Sequence, residues 1–152
     1  MILLDTDHVS VLRLPDGGRR TRLLARLAQV PDERIAVPVI VAEETMRGWL
    51  SAIAKERHAS RQVLAYRELG SMFQFFAAFE IAPFDGAAAD QFEQFGRIQI
   101  GTMDKKIAAI ALVNSALLLT ANRRDYEQVP GLRFENWMDA PPTTGSNTPT
   151  NP

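Results

Sequence analysis

Four acidic residues could do chemistry together if the fold gathers them: Asp5, Glu43, Asp104 and Asp125. Clustered carboxylates repel one another, so a folded chain needs a reason to assemble them. A divalent cation is the usual reason. Mg²⁺ and Mn²⁺ favour oxygen ligands, commonly one or two carboxylates together with water and substrate phosphate. Such a cation activates water, polarises a phosphoryl oxygen and stabilises the leaving oxygen. Neither histidine nor cysteine is required, which suits a chain with no cysteine and only His8 and His58. Without cysteine there is no disulfide frame, no thiolate zinc site and no cysteine nucleophile.

Each acid also has a plain structural use. Asp5 can cap a helix. Asp104 can sit in a first helical turn because the dipole favours it there, or pair with Lys105 or Lys106. Asp125 can pair with Arg123 or Arg124. Only a shared placement at strand ends favours a site.

The elements that must position them read as alternating strands and helices. Met1-Ile2-Leu3-Leu4 is a continuous apolar run, as in a strand buried on both faces, and it leads directly into Asp5-Thr6-Asp7. A short helix follows, capped by Asp7 or Ser10 and ending near Leu14-Pro15. Leu23, Leu24, Leu27 and Val30 share one face of the next helix. Arg19, Arg20, Arg22 and Arg26 lie in the same segment, either as a solvated face or as a patch contacting phosphates. Arg34 to Pro38 reads as a second strand. The helix after it carries Glu43 beside apolar neighbours, with Val39, Ala42 and Met46 facing inward. Helix continues from Ala52 to Phe79 with a break near residues 55–60. Glu80 to Phe84 is a third strand, and Asp85-Gly86 opens a helix to about Ile98. Thr102 is the expected N-cap of a helix bearing Asp104. Leu117 to Thr120 is a buried strand running into Ala121-Asn122-Arg123-Arg124-Asp125-Tyr126. Residues Gly131 to Trp137 suit a short edge strand.

Alternation of this kind indicates an α/β fold with a mostly parallel sheet covered on both faces. The expected domain spans residues 1–139. Residues 140–152, rich in Pro, Thr, Gly, Ser and Asn, read as a disordered tail.

The chain has 152 residues, 46% of them hydrophobic and 23% charged, which is ordinary for one globular domain. No signal peptide is evident, and the most apolar stretch, Ile107 to Leu119, is interrupted by Asn114 and Ser115. It is shorter than the roughly 20 residues that span a bilayer. A soluble, cytoplasmic protein with no membrane partner is expected. The net charge of −1 excludes a strongly basic nucleic-acid binder on the sum alone. With four carboxylates committed to a cation, however, the remaining surface is net positive.

These residues resemble a known family. The pieces are Leu3-Leu4-Asp5-Thr6-Asp7, Val37-Pro38-Val39-Ile40-Val41-Ala42-Glu43, Ile100-Gly101-Thr102-Met103-Asp104 with Ile107-Ala108-Ala109 after it, and Leu119-Thr120-Ala121-Asn122-Arg123-Arg124-Asp125-Tyr126 followed by Val129-Pro130-Gly131-Leu132 and Glu135-Asn136-Trp137. In that order they resemble PIN-domain ribonucleases, most closely the VapC-type toxins of toxin–antitoxin pairs, over residues 1 to about 138. The resemblance implies a PIN-like three-layer α/β/α fold and a Mg²⁺-dependent endoribonuclease, with Mn²⁺ as a substitute. It implies Asp5, Glu43, Asp104 and Asp125 as metal-holding acids. Thr6, Thr120 and Asn122 would support the site, and Arg19, Arg22 and Arg123 would contact RNA. Implied partners are an RNA substrate and a VapB-like antitoxin, with a homodimer that assembles into a toxin–antitoxin hetero-oligomer. Phe73, Phe76 and Trp49 are candidates for those surfaces. Asp7 departs from the family pattern, where Asn is common, and Trp49 to Phe79 matches no motif.

Two rivals remain at this point, besides a PIN-type nuclease that acts on DNA or structured RNA. A haloacid-dehalogenase-type phosphatase shares the strand followed by Asp5-Thr6-Asp7-His8-Val9, but no lysine follows Thr120 to complete it. A catalytically inactive PIN fold serving as a binding module would be signalled by loss of an acid, and all four positions are acidic.

Overall fold

The computed structural model describes residues 1–15 and 17–140. The expected tail, beyond Ala140, lies outside the described residues. In chain order the elements are β1 (Ile2–Leu4), α1 (Thr6–Arg13), α2 (Gly18–Leu27), β2 (Ile35–Pro38), α3 (Val39–Lys55), α4 (Ala59–Phe76), β3 (Glu80–Ala82), α5 (Gly86–Gln94), α6 (Thr102–Val113), β4 (Leu117–Leu119), α7 (Arg123–Tyr126) and β5 (Arg133–Glu135).

The five strands form one parallel sheet in the order β3-β2-β1-β4-β5. β1 is the centre, and Ile2, Leu3 and Leu4 are buried as the unbroken apolar run predicts. Its neighbours pair Leu3 with Ala36 on one side and with Leu118 on the other. From β1 the chain first builds outward through β2 and β3, then returns to build β4 and β5 on the opposite side. The order therefore reverses between β1 and β4. In open α/β sheets a crevice opens at that switch point, outside the carboxyl ends of the strands. Asp5 follows β1 and Thr120 follows β4, so both stand at its mouth.

Helices cover both faces. α6 is the most enclosed, since Ile107, Ala108, Ala109, Ile110 and Ala111 are all fully buried. A helix apolar all round belongs inside a fold rather than on its surface. Its N-cap is Gly101, with Thr102 the first helical residue instead of the cap. In α2, Leu23 is buried while Leu24 is exposed, so the apolar stripe is narrower than expected. Gly131 closes the turn into β5 at φ 77, a left-handed conformation that favours glycine. Among the described residues no helix is long and apolar enough to cross a membrane.

Candidate metal and nuclease site

Asp5 is the N-cap of α1, and Asp7 lies in that helix's first turn. The capping role expected of Asp7 therefore falls to Asp5. The Asp5 backbone N–H donates to Leu119 O at 3.0 Å, continuing the β1–β4 ladder by one residue. Its Oδ1 accepts the Thr6 backbone N–H at 2.8 Å, and its Oδ2 accepts the Thr120 hydroxyl at 2.7 Å. The carboxyl is almost fully buried. Burial, helped by the charges of Asp7 and Asp104, pushes its pKa up to about 7 against the pull of those two hydrogen bonds.

Asp104 sits in the first turn of α6 and is half-buried. Burial raises its pKa. The Tyr126 hydroxyl, donating to Oδ1 at 3.3 Å, opposes that shift, and Glu44, Asp125 and Asp7 add to it through their charges. Tyr126 is itself fully buried, and its phenol is pushed far up by burial and by the Asp5 and Asp104 carboxylates. Asp5, Asp7, Glu44, Asp104 and Asp125 thus form one electrostatically coupled acid group. Asn122 Nδ2 donates to Asp125 Oδ2 at 3.0 Å, while the Asn122 backbone N–H donates to Thr120 Oγ1 at 3.0 Å. Those two bonds tie the Thr120–Asp125 turn to Asp5.

Glu43 does not join the group. Its carboxylate is exposed and ion-paired with Arg47, one helical turn on. The acid that α3 delivers is Glu44, whose Oε2 accepts the Thr6 hydroxyl at 2.7 Å. The reason is helical period. Ile40 and Val41 are buried, and residues three and four further on share their face. That position is 44. Glu43 instead follows Val39, which is exposed. The expectation that Asp5, Glu43 and Asp104 converge is corrected to Asp5, Glu44 and Asp104.

Asp7, Glu44 and Tyr126 were not singled out as site residues from sequence. The spacing from Ile40 was the available signal for Glu44. Tyr126 directly follows Asp125, but only tertiary packing turns it toward Asp104.

The arginines divide. Arg22 Nε donates to Met138 O at 2.7 Å, and Arg26 Nη1 donates to Asn136 O at 3.2 Å, so both fasten α2 to the segment after β5. Arg19 pairs with Asp139 at 3.3 Å on the surface. Arg123 is exposed and pairs with Glu127. It borders a cavity of about 560 Å³ that shares the Thr120–Ala121 wall with the acid group and is also lined by Arg26, Phe134 and Asn136. Arg22, though exposed, commits its Nε to holding the fold together, while Arg123 stands at the rim of this cavity. Of the aromatic candidates, Phe76 is core, Trp49 packs partly buried against the core, and Phe73 is exposed.

No group of three or more His, Cys, Asp or Glu side chains among the described residues has the geometry to hold a metal ion as it stands. The donor chemistry nonetheless fits a hard divalent cation. It is all oxygen, and its members raise one another's pKa in the manner that a nearby positive charge relieves.

Comparison with known proteins bears on the fold and the family. No curated protein sequence gives a significant match. Among solved structures, the chain is similar to DNA-bound VapBC from Salmonella typhimurium (TM-score 0.68, 22% identity, covering 90% of this chain and 97% of that one). It is similar to VapBC2 from Rickettsia felis bound to a promoter DNA fragment (TM-score 0.62, 28% identity, 90% and 99%). It is also similar to VapBC-1 from nontypeable Haemophilus influenzae (TM-score 0.71, 19% identity, 91% and 100%). The PIN domain family model matches residues 2–132. That match sets the phosphatase alternative aside, and the chain belongs to the PIN-domain family.

Proposed function

We propose that this chain is a VapC-type toxin: a Mg²⁺-dependent endoribonuclease that hydrolyses RNA phosphodiester bonds and is held inactive by a VapB-like antitoxin. One observation carries the reading. Asp5, Asp104 and Glu44, from three separate elements, couple through their charges at the sheet's switch point, and the hydrogen bonds they accept come from the Thr6, Thr120 and Tyr126 hydroxyls and the Thr6 backbone N–H.

When bound, the cation supplies the positive charge that polarises the phosphodiester and offsets the charge developing on the leaving oxygen. Asp5, Glu44 and Asp104 would hold it, directly or through water, with Mn²⁺ able to substitute. Asp125, steered by Asn122, would orient the attacking water. Thr120 keeps the Asp5 carboxylate aimed by giving Oδ2 its only hydrogen, and Thr6 does the same for Glu44. Arg123 offers the phosphate backbone a cation at the rim.

VapBC neighbours support a cognate antitoxin as partner, and a homodimer within a toxin–antitoxin hetero-oligomer is part of the proposal. So is a cytoplasmic location. The test is to incubate purified protein with total RNA in Mg²⁺ and map the new ends. Wild type should cut at defined positions, while Asp5→Asn, Glu44→Gln and Asp104→Asn should not. Equal cleavage by wild type and these variants would overturn the reading.

A further inference from the structure

His8 is a buried polar side chain that the proposed reaction leaves without a task. It is fully buried, and both ring nitrogens are engaged. Nδ1 lies 2.6 Å from Asp7 Oδ1, and Nε2 accepts the Trp137 backbone N–H at 3.3 Å. An amide nitrogen can only donate, so Nε2 carries the lone pair and Nδ1 the hydrogen. His8 therefore donates to Asp7. The other oxygen of Asp7 accepts the Ala121 N–H at 2.6 Å. Asp7 is held from both sides, by the C-terminal segment through His8 and by the turn after β4.

This hold matters because Thr120 has one hydroxyl hydrogen and two carboxylates within reach. It stands 2.7 Å from Asp5 Oδ2 and 3.5 Å from Asp7 Oδ2. While Asp7 is fixed, that hydrogen goes to Asp5. An Asp7 freed from His8 would compete for it and crowd Asp5. The segment supplying the Trp137 amide is itself fastened by Arg22 to Met138 O and by Arg26 to Asn136 O, with the Arg26 guanidinium 5.1 Å from the Trp137 ring centroid.

We propose that residues 136–138 are a working part of the acid site and act through His8, a positioning residue that holds Asp7 against Ala121 and so leaves Asp5 its bond from Thr120. The inference rests on the metal-nuclease reading. Groups behind metal-holding side chains commonly alter metal affinity or activity by about 10–100-fold.

Long-range ¹H–¹⁵N spectra of the wild type read the His8 tautomer directly. Hydrogen on Nδ1 is expected, and hydrogen on Nε2 alone overturns the proposal. Mn²⁺ binding by calorimetry and RNA cleavage kinetics are then compared for wild type, His8→Asn and His8→Leu. Asn places an N–H near the position of Nδ1, and Leu fills similar volume without one. His8→Leu should bind Mn²⁺ about 10–100-fold more weakly and lose kcat with little change in KM, while His8→Asn stays within about 3-fold of wild type. Equal loss in both variants, or no loss in either, overturns the positioning role. Should His8→Leu fail to fold, Arg22→Ala combined with Arg26→Ala loosens the same segment. An unchanged Mn²⁺ affinity there overturns the proposal, and about a 10-fold loss supports it. Wild type that neither binds Mn²⁺ nor cleaves RNA overturns the nuclease reading and the positioning role with it. Wild-type binding with indifferent variants overturns the positioning role alone.

Discussion

The Thr6 hydroxyl donates to Glu44 Oε2 at 2.7 Å, joining the first residue of α1 to the sixth of α3. This one bond separates two adjacent glutamates that look alike in the sequence. Glu44 faces Asp104 and the acid group, and Glu43 faces solvent and Arg47.

Neighbouring substitutions should therefore have opposite outcomes. Glu44→Gln is expected to lower RNA cleavage by about 100-fold or more, by analogy with loss of groups that orient or hold a metal. Glu43→Gln should stay within about 2-fold, since an exposed i,i+4 ion pair contributes little. Single-turnover cleavage in Mg²⁺ measures both. A larger loss from Glu43→Gln would return the role to that residue.

The buried Asp5 carboxyl predicts how the metal-free protein responds to pH. Its folded pKa, about 7, lies above the ordinary value of 3.8 for an aspartate. A raised pKa means the folded state binds the proton more tightly than the unfolded chain does. The associated stability is full below pH about 4 and is lost as pH rises toward about 7, by an amount on the order of a few kcal/mol. Asp104, raised in the same direction, adds to the trend. Without metal, Tm should fall across this window, and Asp5→Asn should flatten the slope. With Mn²⁺ present the trend should reverse, because binding displaces protons and strengthens as pH rises. Scanning calorimetry at a series of pH values, with and without Mn²⁺, reads both slopes.

Gly101 predicts a defect confined to the site. Its φ of −54 suits any residue, but a Cβ there would lie 3.0 Å from Asp104 Oδ2. Gly101→Ala should move the Asp104 carboxylate and lower cleavage by about 10-fold. The same change should alter stability by less than about 1 kcal/mol. A variant with full activity would mean that Asp104 can turn aside without cost.

Arg22 and Arg123 should separate structure from substrate contact. Arg22→Ala removes the bond to Met138 O and should destabilise the fold by about 1 kcal/mol. Arg123→Ala should leave Tm unchanged, weaken RNA binding and reduce its dependence on salt, as removal of a phosphate contact does. Denaturation curves and binding measured at several salt concentrations distinguish them. An unchanged salt slope for Arg123→Ala removes it from the RNA surface.

Much of this was legible in the sequence, for reasons that differ by element. β1 and β4 announced themselves as unbroken apolar runs, and an acid or a threonine directly after such a strand has few places to go. Asp104 was legible because a first-turn acid is held at the helix end that faces the crevice. Glu44 was obscured because Val39 and Val41 are both apolar. The inward face of α3 is then ambiguous by one position until Val39 is seen to be exposed. His8 was illegible in a different way. A lone histidine among apolar neighbours reads as core, and the amide that gives it a direction belongs to Trp137, 129 residues away. Arg22 likewise read as a solvated or RNA-contacting charge because its acceptor is a backbone carbonyl near the other end of the described chain.

The bond from Thr120 to Asp5 spans 115 positions of sequence. A growing polypeptide presents Asp5 long before Thr120, Ala121, Tyr126 and Trp137, which also shape this pocket. Until β4 slides in beside β1, Asp5 lacks the threonine that aims it, and Asp7 lacks the amide that holds it. The pocket cannot be completed in a partly made chain. For a protein whose proposed substrate is RNA, the order of synthesis thus delays assembly of the cutting site until the segment that follows β4 has left the ribosome.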